Sequence, residues 1–283
     1  MNSIKKTAVA GAGAMGVGIA QIFAQAGLEV ILFDLSETQL DKAKAEIQKN
    51  LSGAVAKNKM TEADKSAALA RILFTTDVNT LKADLIVEAI VEKLDAKREL
   101  FQKLAAVNSA QAILATNTSS IPVTRIANGI SNPERVVGMH FFNPAHLMKL
   151  VEVISGAETA KQVADTVFQL SVFIGKTPIM CCDSPGFITN RVARHYYVES
   201  LKMLEEKAAT AENIDALMES AGFKMGPFKL MDHVGNDINF AVTSSLYESF
   251  HQEPRFRPSR IQQQKVDAGH LGRKTGKGFY HYK

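Results

Sequence analysis

The chain predicts an α/β fold: a Rossmann-type doubly wound sheet carrying a helical hairpin arm, followed by an all-α C-terminal domain. Three observations predict it. From Thr7 to about Asp183, short β-rich apolar runs alternate with amphipathic helical stretches, the pattern of a sheet covered by helices. The first run leads into a glycine-rich turn and then a helical stretch. Beyond Ser184-Pro185-Gly186 the strands give way to helices with short breaks, which places a domain boundary there and divides the chain into 1–184 and 185–283.

The strands read from the apolar runs are 7–10, 28–33, 72–75, 84–90, 112–116, 136–142, 150–155 and 177–182. Helix 15–26 follows the first strand, with Ile19, Ile22 and Phe23 at helical spacing and Gly27 to end it. Between the second and third strands lies a polar insertion, 36–70, rich in Ala, Lys and Glu, which reads as a helical hairpin projecting from the sheet. In the second domain Asp183 or Ser184 can cap a helix that starts with Pro185 and runs to about Lys207. Further helices fit 211–221, 227–235, 237–250 and 258–268, and the next strand-like segment is Phe279-Tyr280.

Composition narrows the function classes. Hydrophobic residues make up 46% and charged residues 22%, which excludes a disordered chain. The 33 basic and 29 acidic side chains leave a net charge of +4, and no basic run argues for nucleic acid. Lys5-Lys6 and the apolar stretch 7–28 imitate a secretory leader, but five glycines interrupt it and suit a tight turn instead. No other segment reaches the ~20 apolar residues of a membrane span. The only two cysteines, Cys181 and Cys182, are neighbours that point to opposite faces of one strand, so a reducing, cytoplasmic setting is expected. The histidines lack metal-ligand spacing, and no metal site is expected.

Gly11-Ala12-Gly13-Ala14-Met15-Gly16 matches G-x-G-x-x-G between a strand and a helix. The glycines let the backbone approach a pyrophosphate, and the helix N-terminus offers N–H donors and a favourable dipole. Asp34 closes the second strand 18 residues past Gly16, where a carboxylate accepts hydrogen bonds from ribose hydroxyls. Leu35 and Ser36 follow without an arginine to meet a 2′-phosphate, so NAD is preferred to NADP. If 136–142 and 150–155 pair antiparallel about a connection centred near residue 146, His140 and Glu152 stand directly opposite each other.

The segments GAGAMGVGIAQIFAQAG, VEAIVEKLDAKRELF, ATNTSS, GMHFFNP, MKLVEV, DSPGFITNR, MGPFKLMD and GRKTGKGFY together resemble the L-3-hydroxyacyl-CoA dehydrogenases of the short, single-function type. The resemblance covers nearly the whole chain. It implies His140 as catalytic base, Glu152 as its orienter, and Ser119 and Asn190 as groups that hold the substrate's 3-oxygen. It implies cofactor contacts by Gly11, Gly13, Ala14, Met15, Gly16, Asp34, Glu92, Lys97, Ser119, Asn143 and Lys274. On the arm 36–70 it implies coenzyme A contacts by Lys57 and by Asn50, where relatives often carry serine. Lys97 borders the apolar stripe Leu94, Phe101 and Leu104, where an amine wants an anionic partner, although a solvated helix face is the alternative.

The resulting expectation is NAD-dependent oxidation of a short-chain (S)-3-hydroxyacyl-CoA, such as 3-hydroxybutyryl-CoA, and its reverse. The stretch NRVARHYY resembles the 3-hydroxyadipyl-CoA dehydrogenases of aromatic-acid catabolism; the extra Arg and His near Asn190 suit a terminal carboxylate or, equally, are family-wide structural residues. A non-catalytic NAD- or CoA-binding protein is the alternative of another class. The resemblance also implies a homodimer through the helical domain, with Phe187, Tyr196, Tyr197, Leu201 and Leu204 as candidates for the apolar face unless they fill the domain's own core.

Overall fold

The computed structural model describes residues 4–282. These form two compact units, one ending at Ser184 and the other beginning at Pro185. In the first, the strands are β1 (Lys6–Ala10), β2 (Glu29–Phe33), β3 (Ile72–Thr75), β4 (Leu85–Glu88), β5 (Ile113–Thr116), β6 (Val136–Phe141), β7 (Leu150–Ser155) and β8 (Thr177–Cys182). The helices are α1 (Ala14–Gln25), α2 (Glu37–Ala56), α3 (Glu62–Ala70), α4 (Leu94–Val107), α5 (Val123–Ala127) and α6 (Lys161–Phe173).

The sheet order is β3-β2-β1-β4-β5-β6-β7-β8. All neighbours are parallel except β6 and β7. The interior strands β4, β5 and β6 are buried along their whole length, which is why they read as continuous apolar runs rather than alternating ones. The chain first runs outward from β1 to β3 and then crosses back to β4. The crevice beyond the carboxyl ends of β1 and β4 is therefore a topological switch point, the place where open α/β sheets receive ligands.

The insertion 36–70 forms the expected helical pair. Ser36 Oγ accepts the Gln39 N–H at the start of α2, and Thr61 and Asp64 form a capping box at the start of α3. The pair does not stand clear of the sheet layers as expected. Leu40, Ala43, Ile47 and Leu51 recur at helical spacing and are buried in the same core as α1 and the central strands. Cys181 is buried and Cys182 exposed, as alternation along β8 requires.

The second unit contains α7 (Thr189–Glu205), α8 (Ala211–Ser220), α9 (Pro227–Val234), α10 (Asn236–Ser249) and α11 (Arg260–Asp267). Its first helix begins four residues later than the Pro185 signal suggested. Gly186 and Phe187 have φ of +72° and +50°, values a right-handed helix excludes, and a Cβ at Gly186 would lie 2.6 Å from Leu246 Cδ2. Asp183 caps a different helix, accepting the N–H groups of Val123 and Thr124 at the start of α5.

Phe279-Tyr280 is not a strand. The tail turns back on itself through bridges of Lys277 with Gly272 and His281, and buried Asp232 accepts the N–H groups of Phe279 and Tyr280, the Tyr282 hydroxyl and the Asn236 amide. Phe187 is buried, Tyr197 and Leu201 lie in this unit's core, and Tyr196 and Leu204, partly buried, pack against that core. Tyr197 and Leu201 thus fill the unit's own core, the alternative to a dimer face. Among the described residues, no helix is long and apolar enough to cross a membrane.

Removing the Asp232 carboxylate leaves several donors unmet at once. Asp232→Ala should destabilise the chain by ~3 kcal/mol or more and expose the tail to proteolysis. An unchanged urea midpoint with a protease-resistant tail would contradict this account of the C-terminal turn.

Candidate active site

The glycine turn leaves β1 with Gly11 at φ +109°, where a Cβ would meet Ala89 O at 2.5 Å. A Cβ on Gly16 would lie 1.8 Å from Gly11 O, so these two glycines are demanded by the protein's own backbone. Gly13 is different, because a Cβ there would meet nothing within 4 Å. As the N-cap of α1 it supplies no side-chain hydrogen bond, and the first turn holds no acid. The leading N–H groups of α1, among them those of Ala14, Met15 and Gly16, point along an open, positive helix end. A glycine that spares no internal clash, at an uncapped helix start, fits a group that arrives from outside, such as a pyrophosphate.

Asp34 stands at the end of β2 with Oδ2 accepting the Ala12 N–H at 2.9 Å and Oδ1 accepting the Ser36 N–H at 3.0 Å. Gln39 Nε2 donates to Ala12 O from α2, so the hairpin also braces the glycine turn. Beside them opens a cavity of about 530 Å³ lined by Gly13, Asp34, Leu35, Val78, Ile90 and Val91. Its apolar walls and the Asp34 carboxylate, held by two backbone N–H groups, suit a purine nucleoside. Lys103 also lines it but is paired with Glu99 at 2.7 Å.

The carboxyl ends of β4 and β5 carry a charged network. Lys97 is 1% exposed, and its ammonium lies 2.6 Å from Glu88 Oε1 and 3.1 Å from Glu92 Oε2. The solvated-face alternative for Lys97 is therefore wrong: its anionic partners are Glu88 and Glu92. Glu88, fully buried, also accepts the Ile90 N–H and the Thr116 hydroxyl. Glu92 gathers the turn after β5, with Oε1 accepting the Thr118 hydroxyl at 2.6 Å and the N–H groups of Ser119 and Ser120 at 3.0 and 3.2 Å. Burial alone would raise the Glu92 carboxyl, but Lys97 and the bonds from Thr118, Lys97 and Ser119 hold it below its ordinary value.

His140 and Glu152 face each other in the β6–β7 register. His140 Nδ1 lies 2.9 Å from Glu152 Oε2, with both side chains buried. An ionised carboxylate accepts but cannot donate, so it favours the tautomer with the proton on Nδ1 and a lone pair on Nε2. The Phe142 ring lies 4.5 Å from the imidazole centroid. Asn117 Oδ1 accepts the Phe141 N–H at 2.8 Å, tying the serine turn to the strand that carries the histidine. Asn143 is exposed in the turn that follows, which Lys176 secures by donating to Ala145 O and Met148 O.

The structure thus brings Glu92, Lys97 and Ser119 into one network, and His140 and Glu152 into one pair. Asn50 points toward α1 and donates to Gln21 Oε1, while Lys57 is the exposed C-cap of α2. The seven-residue helical face proposed for them ends at Lys57. In the second unit Asn190 is the second residue of α7, and Lys274 is paired with Asp237 at 2.7 Å. Sequence reasoning missed Glu88, Asn117 and Lys176. A carboxylate closing the apolar run Leu85-Ile86-Val87 was the available signal for Glu88; the other two were polar residues beside loops, without a pattern of their own.

Comparison with known proteins gives one answer across the chain. Residues 6–184 match the family described as 3-hydroxyacyl-CoA dehydrogenase, NAD binding domain, and residues 186–282 match its C-terminal domain. A 3-hydroxyadipyl-CoA dehydrogenase of Escherichia coli K12 is 47% identical over 285 residues, and the chain spans 60% of that protein's length. A probable 3-hydroxybutyryl-CoA dehydrogenase of Deinococcus radiodurans is 42% identical, with 98% of this chain and 100% of that one covered. The crystal structure of (S)-3-hydroxybutyryl-CoA dehydrogenase from Ralstonia eutropha superposes with a TM-score of 0.96 at 40% identity, covering 99% and 100% of the two chains.

Two consequences of the buried network can be measured. Lys97→Met strands two carboxylates and should cost ~3–5 kcal/mol in denaturant unfolding, whereas no loss would show that the ammonium is dispensable. The Glu92 value is lowered on folding, so its contribution is complete above the ordinary 4.5 and is lost as pH falls through the lower folded value. Stability should therefore fall on the acid side in the native chain and fall less in Glu92→Gln; identical acid limbs would contradict the assignment.

Proposed function

The chain belongs to the 3-hydroxyacyl-CoA dehydrogenase family, and from that premise we propose that it interconverts (S)-3-hydroxyacyl-CoA and 3-oxoacyl-CoA with NAD. The observation that carries this reading is the buried His140–Glu152 pair, on the sheet whose switch point holds the open glycine turn. In the oxidative direction His140 Nε2 takes the proton of the 3-hydroxyl, and Glu152 stabilises the imidazolium that results. Ser119 and Asn190 hold the substrate oxygen, with Ser119 set in place by Glu92. NAD, when bound, supplies the hydride acceptor. Gly11, Gly13, Ala14, Met15 and Gly16 receive its pyrophosphate and Asp34 its ribose, while Glu92, Asn143 and Lys274 contact it nearby. Lys97 acts through Glu92. Lys57 and Asn50 serve coenzyme A from the arm.

A short acyl group such as 3-hydroxybutyryl is the first reading of the substrate. The 47% identity to a 3-hydroxyadipyl-CoA dehydrogenase favours a second reading with a terminal carboxylate. Exposed Ile188, Val192 and Ile238 in the helical unit support a homodimer, which light scattering on the purified chain tests.

Purified protein should oxidise NADH with acetoacetyl-CoA but not with free acetoacetate. His140→Gln should lower kcat by ~10²–10⁴ while NADH binding, read by fluorescence, persists. Near-normal turnover in that variant would overturn the assigned base, and NADH binding without consumption by the native chain would favour a non-catalytic protein.

A further inference from the structure

Helix α7 buries a positive charge that the reaction as described does not use. Arg194 is 3% exposed, and among the described residues no carboxylate pairs with it. Its Nη1 donates to Asn239 O and to Thr243 Oγ1, each at 3.0 Å, and the guanidinium lies 5.0 Å from the Tyr197 ring centroid. Those contacts fix the side chain from one end. Asn239 is itself held by Gln262 Nε2 at 3.0 Å, so the seat is rigid. The opposite edge of the fork is different. Nε is buried and has no hydrogen-bond partner, and Nη2 makes no hydrogen bond to a described residue.

An arginine this deeply buried is ordinarily paired, because a desolvated charge without a counter-ion is costly. Burial pushes the Arg194 guanidinium down to about 10, which still leaves it charged at neutral pH. The Nε/Nη2 edge is the one a carboxylate engages through two parallel hydrogen bonds.

Position along the helix supplies the rest. Arg194 follows Asn190 by four residues, so the two share one face of α7, one turn apart. If Asn190 attends the 3-oxygen, a group one turn away meets atoms a few bonds further along the acyl chain, over the ~5.4 Å of a helical turn. In a six-carbon dicarboxylic acyl group the terminal carboxylate stands three carbon–carbon bonds beyond C3.

We propose that the free edge of Arg194 receives the terminal carboxylate of a 3-hydroxydicarboxylyl-CoA thioester and sets the preference for that substrate class. This rests on the dehydrogenase reading above. Arg194 supplies the counter-charge and Thr243 and Asn239 hold it in place; an uncharged acyl end leaves the guanidinium unpaired and forgoes the gain.

The test compares kcat/KM for NADH-dependent reduction of acetoacetyl-CoA, 3-oxoadipyl-CoA and the terminal methyl ester of 3-oxoadipyl-CoA. The native chain should favour the free acid over the methyl ester by about 10- to 100-fold, and Arg194→Met should collapse that ratio toward one. Arg194→Lys, which keeps the charge but not the fork, should retain part of it. Native turnover that treats acid and ester alike would overturn the proposal without any variant, as would an Arg194→Met loss equal on all three thioesters. Native inactivity toward every thioester would overturn the dehydrogenase reading, and this inference with it.

Discussion

The charge on Lys97 is the constraint around which the carboxyl edge of the sheet is arranged. An ammonium taken out of water is tolerated only if carboxylates stand within bonding distance, and Glu88 and Glu92 do so from the end of β4 and the loop after it. Satisfying it fixes α4 against the sheet, orients Glu92, and through Glu92 the backbone and hydroxyls of residues 118–120. Thr116 and Ile90 also donate to Glu88 and hold its carboxylate in place. A serine turn that would otherwise be a mobile connection is thereby held at the carboxyl end of β5.

The second element is independent of that network but joined to it. β6 and β7 run antiparallel where the rest of the sheet is parallel, and this reversal sets His140 opposite Glu152. Asn117 spans the short distance from the serine turn to the backbone just after the histidine. Preorganisation of this kind matters because donors and bases already in place lose nothing to reorganisation during the reaction. The glycine turn completes the edge, with Gly11 and Gly16 shaped by the protein itself and Gly13 left open.

Much of this was legible in the chain. The alternation of apolar runs and amphipathic stretches yields all eight strands, and the interior ones read most plainly because strands buried on both faces leave continuous apolar segments. The His140–Glu152 register follows from simple counting about a connection centred near residue 146. Helix starts were harder. Pro185 reads as a first helical position, yet Gly186 and Phe187 take positive φ and Gly186 packs where a Cβ would meet Leu246, a tertiary contact that no local pattern carries. Lys97 was recognisable as an amine in search of an anion, but Glu88 was hidden as the last residue of an apolar strand. The apolar residues of α7 showed the same ambiguity: spacing cannot separate an internal core from a dimer face, and packing assigns Tyr197 and Leu201 to the core.

The most direct test of the account is the rate of NAD-dependent (S)-3-hydroxyacyl-CoA oxidation by Glu152→Gln, measured across pH beside its affinity for NADH. A glutamine amide can donate to Nδ1 and so reverse the tautomer, leaving Nε2 already protonated. The account predicts a loss in kcat of roughly 10²–10⁴ with cofactor affinity preserved. Unchanged turnover, or a loss explained wholly by weakened NADH binding, would contradict it.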